Sequence, residues 1–566
     1  MKSFLPILLC APLVLYGLGR PGLTDPDEGR NAEVAREMII SGDFVTPTIN
    51  GARYLDKPPA FFWSVAASLR LFGVDEWSAR LPSAFSAVAG VALTAWFARR
   101  HLGARAAGIS GAVLALCPLY IVFGRMVIFD MMLTLFMSAC VMAAYEAMEG
   151  EGPASSAAGL VAFAAAGLGT ITKGPVALVL PLLIAAAWAL LRRRPALLLR
   201  LHPARGLAVY AAIVLPWLAV AAWRNPGYLR YALLGETLER IATDRFETAR
   251  PFYFYLKIVL PGFFPWIFYL AGAPVSPKSP DESGGGGARL ARRFAWTWLL
   301  VAGLFFSLVS SKRPAYVLPL AVPIAILTGD LFARADLAAG SIAAATGCLL
   351  LAATLTLLGH GGPGQGLPGA ASLPEMSGVN MTAAGLAVAG ALIFAARRSR
   401  SLGPAFGAAI LPLAVTAPLA LTIATHVGAA RSARAMSRFL AERLRPGDAV
   451  ICFEEYHPGL NFYLRMPIDF VGPTGRTFTS NYIKMHLDQY AGDPSFRKIS
   501  PEAMRERLGR QGSHVFLIAP PRSYEDARAL AGMPLARIYE DPVGGVLVPS
   551  GATAPPGAEP APRTGS

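Results

Sequence analysis

Charge is scarce in this chain. Lys, Arg, Asp and Glu together make up 15% of 566 residues, against roughly 25% in an ordinary soluble domain. That shortage excludes a solvated surface over most of the length. Cysteine is scarcer still, five in all. Cys10, Cys117, Cys140 and Cys348 lie in apolar runs and Cys452 stands alone in a polar region, which excludes a disulfide framework. No Cys/His spacing matches a structural zinc site. Acids are outnumbered, 36 against 51 Lys and Arg, for a net charge of +15. Nucleic acid is not the partner this excess implies. The arginines cluster in short segments between hydrophobic runs, where they orient a membrane protein and meet anionic headgroups.

What fills the sequence instead is hydrophobic residues, 54% of the total. Runs of about 18 or more recur, the length a helix needs to cross a bilayer core. Thirteen spans are predicted, at about 4–19, 79–98, 105–123, 127–147, 156–173, 174–191, 206–223, 254–272, 294–310, 314–332, 338–358, 381–396 and 403–427. With the N-terminus in the cytoplasm, one topology puts Arg99, Arg100 and Arg105, the Arg192 to Arg205 cluster, Lys278 with Arg289 to Arg293, and Arg397 to Arg400 on the cytoplasmic side. The loops at 20–78 and 224–253 and the C-terminal tail are then external. The first segment has the basic start and apolar middle of a signal peptide but a weak cleavage end, Leu15-Tyr-Gly-Leu-Gly19, so a retained helix is expected.

The fold class expected is a mainly α, polytopic membrane protein with a small C-terminal α/β domain. Residues 1–430 form the membrane domain, including the external loop 20–78, and the segment 275–288 is a linker by composition. Residues 431–550 form the α/β domain, with strands at 449–453 and 514–518 and a charged helix at 501–511. Residues 551–566 are expected to be disordered. In the first external loop, 28–38 and 60–72 have helical spacing and suit helices lying on a membrane surface.

That loop gathers Asp27, Glu28, Arg30, Arg53, Tyr54, Asp56 and Lys57 between apolar flanks. Asp27 and Glu28 follow Pro26, where they serve as a helix start favouring its dipole or as working carboxylates. Arg53, Tyr54, Asp56 and Lys57 precede Pro58-Pro59, whose rings hold the backbone extended. A cation beside an aromatic and a carboxylate can hold a phosphodiester while the carboxylate orients a hydroxyl or a metal. Asp130 lies at the outer end of a span, where an ionisable group is functional or paired, Arg125 being the nearest candidate partner. Lys173 at another outer boundary reads as a snorkelling cation. The external loop at 224–253 holds Arg224, Arg230, Arg240, Asp244, Arg245, Glu247 and Arg250 before the aromatic run Pro251-Phe-Tyr-Phe-Tyr255. An anionic ligand is the simplest reason for so basic an external loop. Ser310-Ser-Lys-Arg-Pro-Ala-Tyr316 adds a second external basic cluster, and the Glu454-Glu-Tyr-His457 stretch is a weak metal candidate.

Taken in order, Asp27-Glu-Gly-Arg-Asn-Ala-Glu33, Gly42-Asp-Phe-Val, Asn50-Gly, Tyr54-Leu-Asp-Lys-Pro-Pro59, Leu71-Phe-Gly73, Arg80-Leu81, Phe129-Asp130, Thr172-Lys-Gly-Pro175, Pro251-Phe-Tyr-Phe-Tyr255 and Ser311-Lys-Arg-Pro-Ala-Tyr-Val-Leu-Pro319 resemble the GT-C superfamily of polyprenyl-phosphate-dependent glycosyltransferases. The likeness extends to bacterial lipid A aminoarabinose transferases and protein O-mannosyltransferase-like enzymes. The resemblance implies a multi-pass protein of the bacterial inner membrane with its active site and C-terminal domain on the periplasmic side. It implies an inverting transfer of a sugar from a polyprenyl-phosphate donor to lipid A or another envelope acceptor, by a monomer. Asp27, Asp130 and Lys57 would be catalytic. Arg30, Tyr54, Arg53, Arg245, Lys312 and Tyr316 would surround the donor phosphate. Asp56 stands where the family commonly has Glu, and no His precedes Pro251. A divalent metal is therefore left open, with Asp56 and Glu247 as its candidate ligands. No nucleotide or redox cofactor is expected. A lipid-linked sugar transporter would need ionisable residues deep in several spans and internal repeats, and a scaffold would need no external charge clusters.

Overall fold

The computed structural model describes residues 5–232, 250–272, 286–334, 337–360, 376–398, 401–472, 480–486, 490, 496–510 and 514–550. Arg240, Asp244, Arg245, Glu247 and Lys278, residues 275–285 of the expected linker, and the tail 551–566 lie outside these. Contacts divide the chain into two units. A membrane unit comprises residues 1–18, 80–219 and 233–426; a second unit comprises 19–79, 220–232 and 427–566. This division cuts across the sequence boundary at 430, because the first external loop groups with the C-terminal segment.

In the membrane unit every expected hydrophobic segment is helical where described. The helices are α1 (Leu5–Leu15), α4 (Glu76–Leu102), α5 (Ala104–Ala115), α6 (Pro118–Gly124), α7 (Phe129–Glu149), α8 (Pro153–Lys173), α9 (Val176–Leu191) and α10 (Pro203–Arg224), then the helices Leu256–Gly262, Trp266–Gly272, Gly286–Leu308, Ala321–Ala333, Ala338–His360, Met376–Ala396 and Leu402–Ala430. Fewer of them than thirteen meet the requirement for a crossing. Among the described residues, eight helices are long and apolar enough, or nine if α5 and α6, bent by 63°, make one span. The shortfall has local causes. α1 has 11 residues and α9 has 16, Pro118 restarts the chain after α5, and Pro265 separates two seven-residue helices. Gly286–Leu308 opens with Arg289, Arg292 and Arg293.

α7, with 21 residues, is about 31 Å long, close to the roughly 30 Å of a hydrocarbon core. The charged groups of the unit sit at helix ends. At the C-terminal end of α7, Glu146 lies 3.0 Å from Arg100 and 2.5 Å from His101. Glu149 accepts from the indole of Trp188 at 2.9 Å and meets Arg192 at 3.5 Å. Asp330 is held between Arg292 and Arg334 at 2.6 and 3.0 Å. Arginines from three of the expected cytoplasmic clusters thus anchor helix ends through buried or half-buried acids.

The second unit is built on a five-stranded sheet of order β4-β3-β5-β7-β6, with β3 (Ala449–Phe453), β4 (Asp469–Val471), β5 (Val515–Ala519), β6 (Leu535–Asp541) and β7 (Gly544–Pro549). β4, β3 and β5 are parallel, and β5, β7 and β6 antiparallel. β5 is buried at every position and β3 at all but its first, as strands in a sheet covered on both faces must be. The expected charged helix is Pro501–Gly509, capped by Ser500, whose Oγ accepts from Ala503 N. In the same unit lie α2 (Asp27–Ser41), α3 (Ala60–Phe72) and the hairpin β1 (Thr48–Ile49) and β2 (Ala52–Arg53). α2 departs from a helix with one apolar face. Glu28, Asn31, Glu33 and Arg36 are buried along with Ala32, Val34, Ala35 and Met38, because α2 packs on α3, β1 and the helix Pro458–Leu464.

Candidate active site

The loop residues singled out from sequence are brought together in the second unit by two local devices. The first is the start of α2. The Glu28 carboxylate accepts from both the amide and the hydroxyl of Thr24, at 3.0 and 2.9 Å. This ties the first turn of α2 back to the segment that leads into it. Asp27 lies 2.7 Å from Arg30 one turn on, with 39% of its side chain exposed against 11% for Arg30. The Arg30 guanidinium stands 5.7 Å from the Tyr54 ring centre. Burial alone would pull the Arg30 group down, but Tyr54, Asp27 and Asp56 around it outweigh that and hold it above its ordinary value. It is a permanent cation, fixed in place.

The second device is the Asn50-Gly51 turn. Both residues have positive φ, 51° and 79°, the two-residue hairpin geometry that Asn-Gly favours because neither pays much for left-handed backbone. It pairs Thr48 with Arg53 and Ile49 with Ala52. Glu37 of α2 holds the turn, accepting from the Thr48 hydroxyl at 2.6 Å and the Asn50 amide at 2.5 Å. The Asn50 side chain donates to Ile468 O at 2.7 Å and accepts from Asn461 Nδ2 at 3.0 Å. The hairpin thereby delivers Tyr54, buried to 2%, edge-on to Phe62, and Arg53, exposed.

Asp56 is buried and accepts from three donors: the Tyr231 hydroxyl at 2.5 Å, Tyr482 N at 2.8 Å and Asn481 N at 3.0 Å. Both of its oxygens are taken by N–H and O–H donors, a set that suits a structural anion rather than a cation's shell. Glu247, the other candidate ligand, is outside the described residues. Among those residues no group of three or more His, Cys, Asp and Glu comes together. Lys57 turns back on the chain, its Nζ donating to Asp56 O at 2.8 Å.

Sequence reasoning missed Asp25, the neighbour of these residues. It is half-buried, and its Oδ1 accepts from Gly459 N at 3.0 Å. Burial pushes its carboxyl up to about 7, against the opposing pull of the Gly459 amide and Arg30. The site is closely fitted: a Cβ on Gly29 would lie 2.1 Å from Asp25 Oδ1 and 2.8 Å from Gly459 N. His457, held neutral by burial that lowers it to about 4, precedes the helix Pro458–Leu464 and belongs to no metal group.

The membrane unit carries its own constellation. Asp130, in the first turn of α7, is 5% exposed and forms an ion pair with Lys173, the last residue of α8. The expected partner, Arg125, is engaged elsewhere. Its guanidinium donates to Leu13 O and Tyr16 O at 2.9 Å, Gly17 O at 3.2 Å and Val14 O at 3.3 Å, closing the carbonyl end of α1. Lys173 therefore does not simply snorkel. Its Nζ also stands 4.7 Å from the centre of the Tyr316 ring, a cation–π contact. The signal was available: α7 and α8 both have 21 residues, and an antiparallel pair of equal length must put the first turn of one beside the last of the other. Lys312 is 6% exposed, with its Nζ on Val309 O at 2.5 Å. Arg245, the remaining expected phosphate ligand, lies outside the described residues.

Known proteins resemble the chain in sequence and in fold. The profile of the dolichyl-phosphate-mannose-protein mannosyltransferase family matches residues 56–220. The undecaprenyl phosphate-alpha-4-amino-4-deoxy-L-arabinose arabinosyl transferase of Edwardsiella ictaluri is 34% identical over 323 residues, 56% of this chain and 57% of that protein. The second such transferase of Pseudomonas fluorescens strain Pf0-1 is 33% identical over 362 residues, 63% of this chain and 64% of its own length. In sequence the chain thus spans less than two thirds of the curated relatives it matches. The structural match is more extensive. The crystal structure of ArnT from Cupriavidus metallidurans bound to undecaprenyl phosphate superposes with a TM-score of 0.80, at 25% identity, over 98% of both chains. The fold is that of the GT-C membrane proteins, as the motifs implied.

Proposed function

We propose that this chain is an integral membrane glycosyltransferase that moves a sugar, aminoarabinose or a relative, from a polyprenyl-phosphate donor to lipid A. The observation that carries this reading is the superposition on a transferase holding undecaprenyl phosphate, with a TM-score of 0.80 over 98% of both chains. The protein works as a monomer in the inner membrane, with its charged external loop and α/β domain on the periplasmic side.

In the reaction the acceptor oxygen forms a bond to the anomeric carbon. The bond from that carbon to the phosphate oxygen breaks, polyprenyl phosphate leaves, and the configuration inverts. The cations of the site stabilise the charge that develops on the leaving phosphate. Lys57 is the residue assigned to neutralise it, with Arg30, Tyr54 and Arg53 of the same unit as donor-phosphate ligands. Lys312, Tyr316 and Arg245 are carried from the sequence motifs in the same role, and Asp130, paired with Lys173 in the membrane unit, is carried from its motif as a catalytic residue. A phosphate acceptor is already anionic and needs no base. A hydroxyl acceptor gives up a proton, and Asp27, partly exposed beside Arg30, is the carboxylate to take it. No step here requires a metal.

The mannosyltransferase profile over residues 56–220 favours a second reading, transfer to a hydroxyl on an envelope protein. Mass spectrometry of lipid A from otherwise identical cells with and without the chain separates the two. A pentosamine-sized mass on lipid A phosphate, present with wild type and reduced about 10²–10³-fold by Lys57→Ala, is the expected outcome. Unchanged lipid A, with sugar appearing on envelope protein, would transfer the assignment to the hydroxyl reading. Asp27→Asn reports on the same choice: it should leave measurable transfer to a phosphate but lower transfer to a hydroxyl about 10²–10⁴-fold.

A further inference from the structure

Elsewhere in the second unit a half-open cavity of about 230 Å³ lies between the first turn of α4, the helix Arg434–Ala441 and the helix Pro458–Leu464. Arg434, Arg438 and Arg465 line it, with Ser437, Tyr463 and two carboxylates, Asp75 and Glu76, so cations outnumber acids by three to two. Arg434 and Arg438 are one helical turn apart and so share a face; Arg465 comes from the left-handed residue that ends its helix, φ 57°.

These cations are unevenly compensated. Arg434 Nε lies 3.0 Å from Glu76 and its Nη1 donates to Arg20 O at 2.8 Å. Arg438 and Arg465, both exposed, have no carboxylate within ion-pair distance among the described residues; Arg465 has only a long contact, 3.4 Å, to Val74 O. Ser437 supplies an independent observation. It is 3% exposed, yet its Oγ has no hydrogen-bond partner among the described residues, an arrangement that is costly for a buried hydroxyl. An anion with several acceptor oxygens would satisfy the hydroxyl and separate the guanidiniums at once, and a phosphate offers that geometry to arginine. The volume is below the roughly 300–1,000 Å³ of a drug-sized pocket, so it suits a headgroup rather than a whole lipid. Chain connectivity points to the source. Glu76 begins a membrane-capable helix, and Arg434 follows within four residues of the end of another, Leu402–Ala430, so both lining segments run in the chain directly into segments built for lipid.

We propose that this cavity is a second anion site, which binds the phosphate of an anionic lipid headgroup and is distinct from the donor-phosphate ligands. The proposal does not depend on which sugar or acceptor the chain uses. The test is a binding titration of the purified full-length chain in uncharged detergent with dioctanoyl phosphatidic acid, and separately with inorganic phosphate, read by thermophoresis. Wild type should bind the lipid, Arg438→Ala/Arg465→Ala should bind it about tenfold or more weakly, and Arg445→Ala, which removes an exposed arginine outside the cavity, should match wild type. Ser437→Leu, which fills the cavity with no change of charge, should also weaken binding. No binding by wild type, or equal loss in Arg445→Ala, would overturn the site. Equal affinity for inorganic phosphate with the same arginine dependence would overturn a lipid as its ligand.

Discussion

Asp130 is buried and Lys173 half-buried, and each is the other's counter-charge. Replacing Lys173 with Met leaves a buried carboxylate unpaired, at a cost of about 3–5 kcal/mol. Thermal unfolding of purified protein in detergent should show the loss, and the double variant Lys173→Met/Asp130→Asn should recover part of it. If the single and double variants unfold alike, the pair is not coupled. Asp25 makes a different prediction. Its carboxyl is raised from 3.8 to about 7 by burial, so the folded state holds a proton that the unfolded chain has released between those values. Stability from this group is fully present below pH 4 and is lost as pH rises through about 7. Unfolding free energy should fall in wild type by on the order of a few kcal/mol between pH 5 and 8, seen as a lower melting temperature, and the fall should be smaller in Asp25→Asn, whose amide oxygen can still accept from Gly459.

At the scale of elements, the hairpin decides where the working loop goes. Gly51 has φ 79°, and a β-branched side chain there is strained by about 1–3 kcal/mol. Gly51→Val should lower stability by that amount and displace Tyr54 to Lys57, so transfer activity should fall more than the stability loss explains. Gly51→Asn, which tolerates left-handed backbone, should restore much of both. Activity equal in all three proteins would mean that the hairpin does not position the site. The same scale explains why α2 tolerates so many buried polar groups: Arg36 meets Glu33 through two contacts of 2.7 Å, and Glu37 is occupied by the hairpin. Arg36 and Glu33 are three residues apart, and the partners of Glu37 lie 11 and 13 residues on in the hairpin.

For the whole molecule, the consequential fact is that the first external loop and the C-terminal segment make one unit. Asn50 is bonded to Asn461 and Ile468, Asp25 to Gly459, and Asp56 to Asn481 and Tyr482. Deleting residues 431–550 would strip each of these groups of a partner. Limited proteolysis of that truncated protein should cut between residues 20 and 78 much faster than in wild type, and transfer should be lost. Unchanged protection of the loop would show that it folds without the C-terminal segment.

Several features were legible before any coordinates. Hydrophobic length and the placement of arginines gave a helical membrane protein, because crossing a bilayer is a requirement that composition alone must meet. Ala449 to Phe453 read as a buried strand and is one. Tyr54, Asp56 and Lys57 could be picked out because polar residues are rare beside so much apolar sequence. Partnership was not legible. Lys173 rather than Arg125 faces Asp130, and Tyr231, Asn481 and Tyr482 occupy Asp56. Such pairings depend on which helix ends and loops meet, and a charge in a sequence carries no record of the distant donor that folding brings to it. The sequence by itself determined the helices, the membrane and the kinds of residue at the site; the tertiary structure decided which are paired, because only it sets the distances over which charges and hydrogen bonds act.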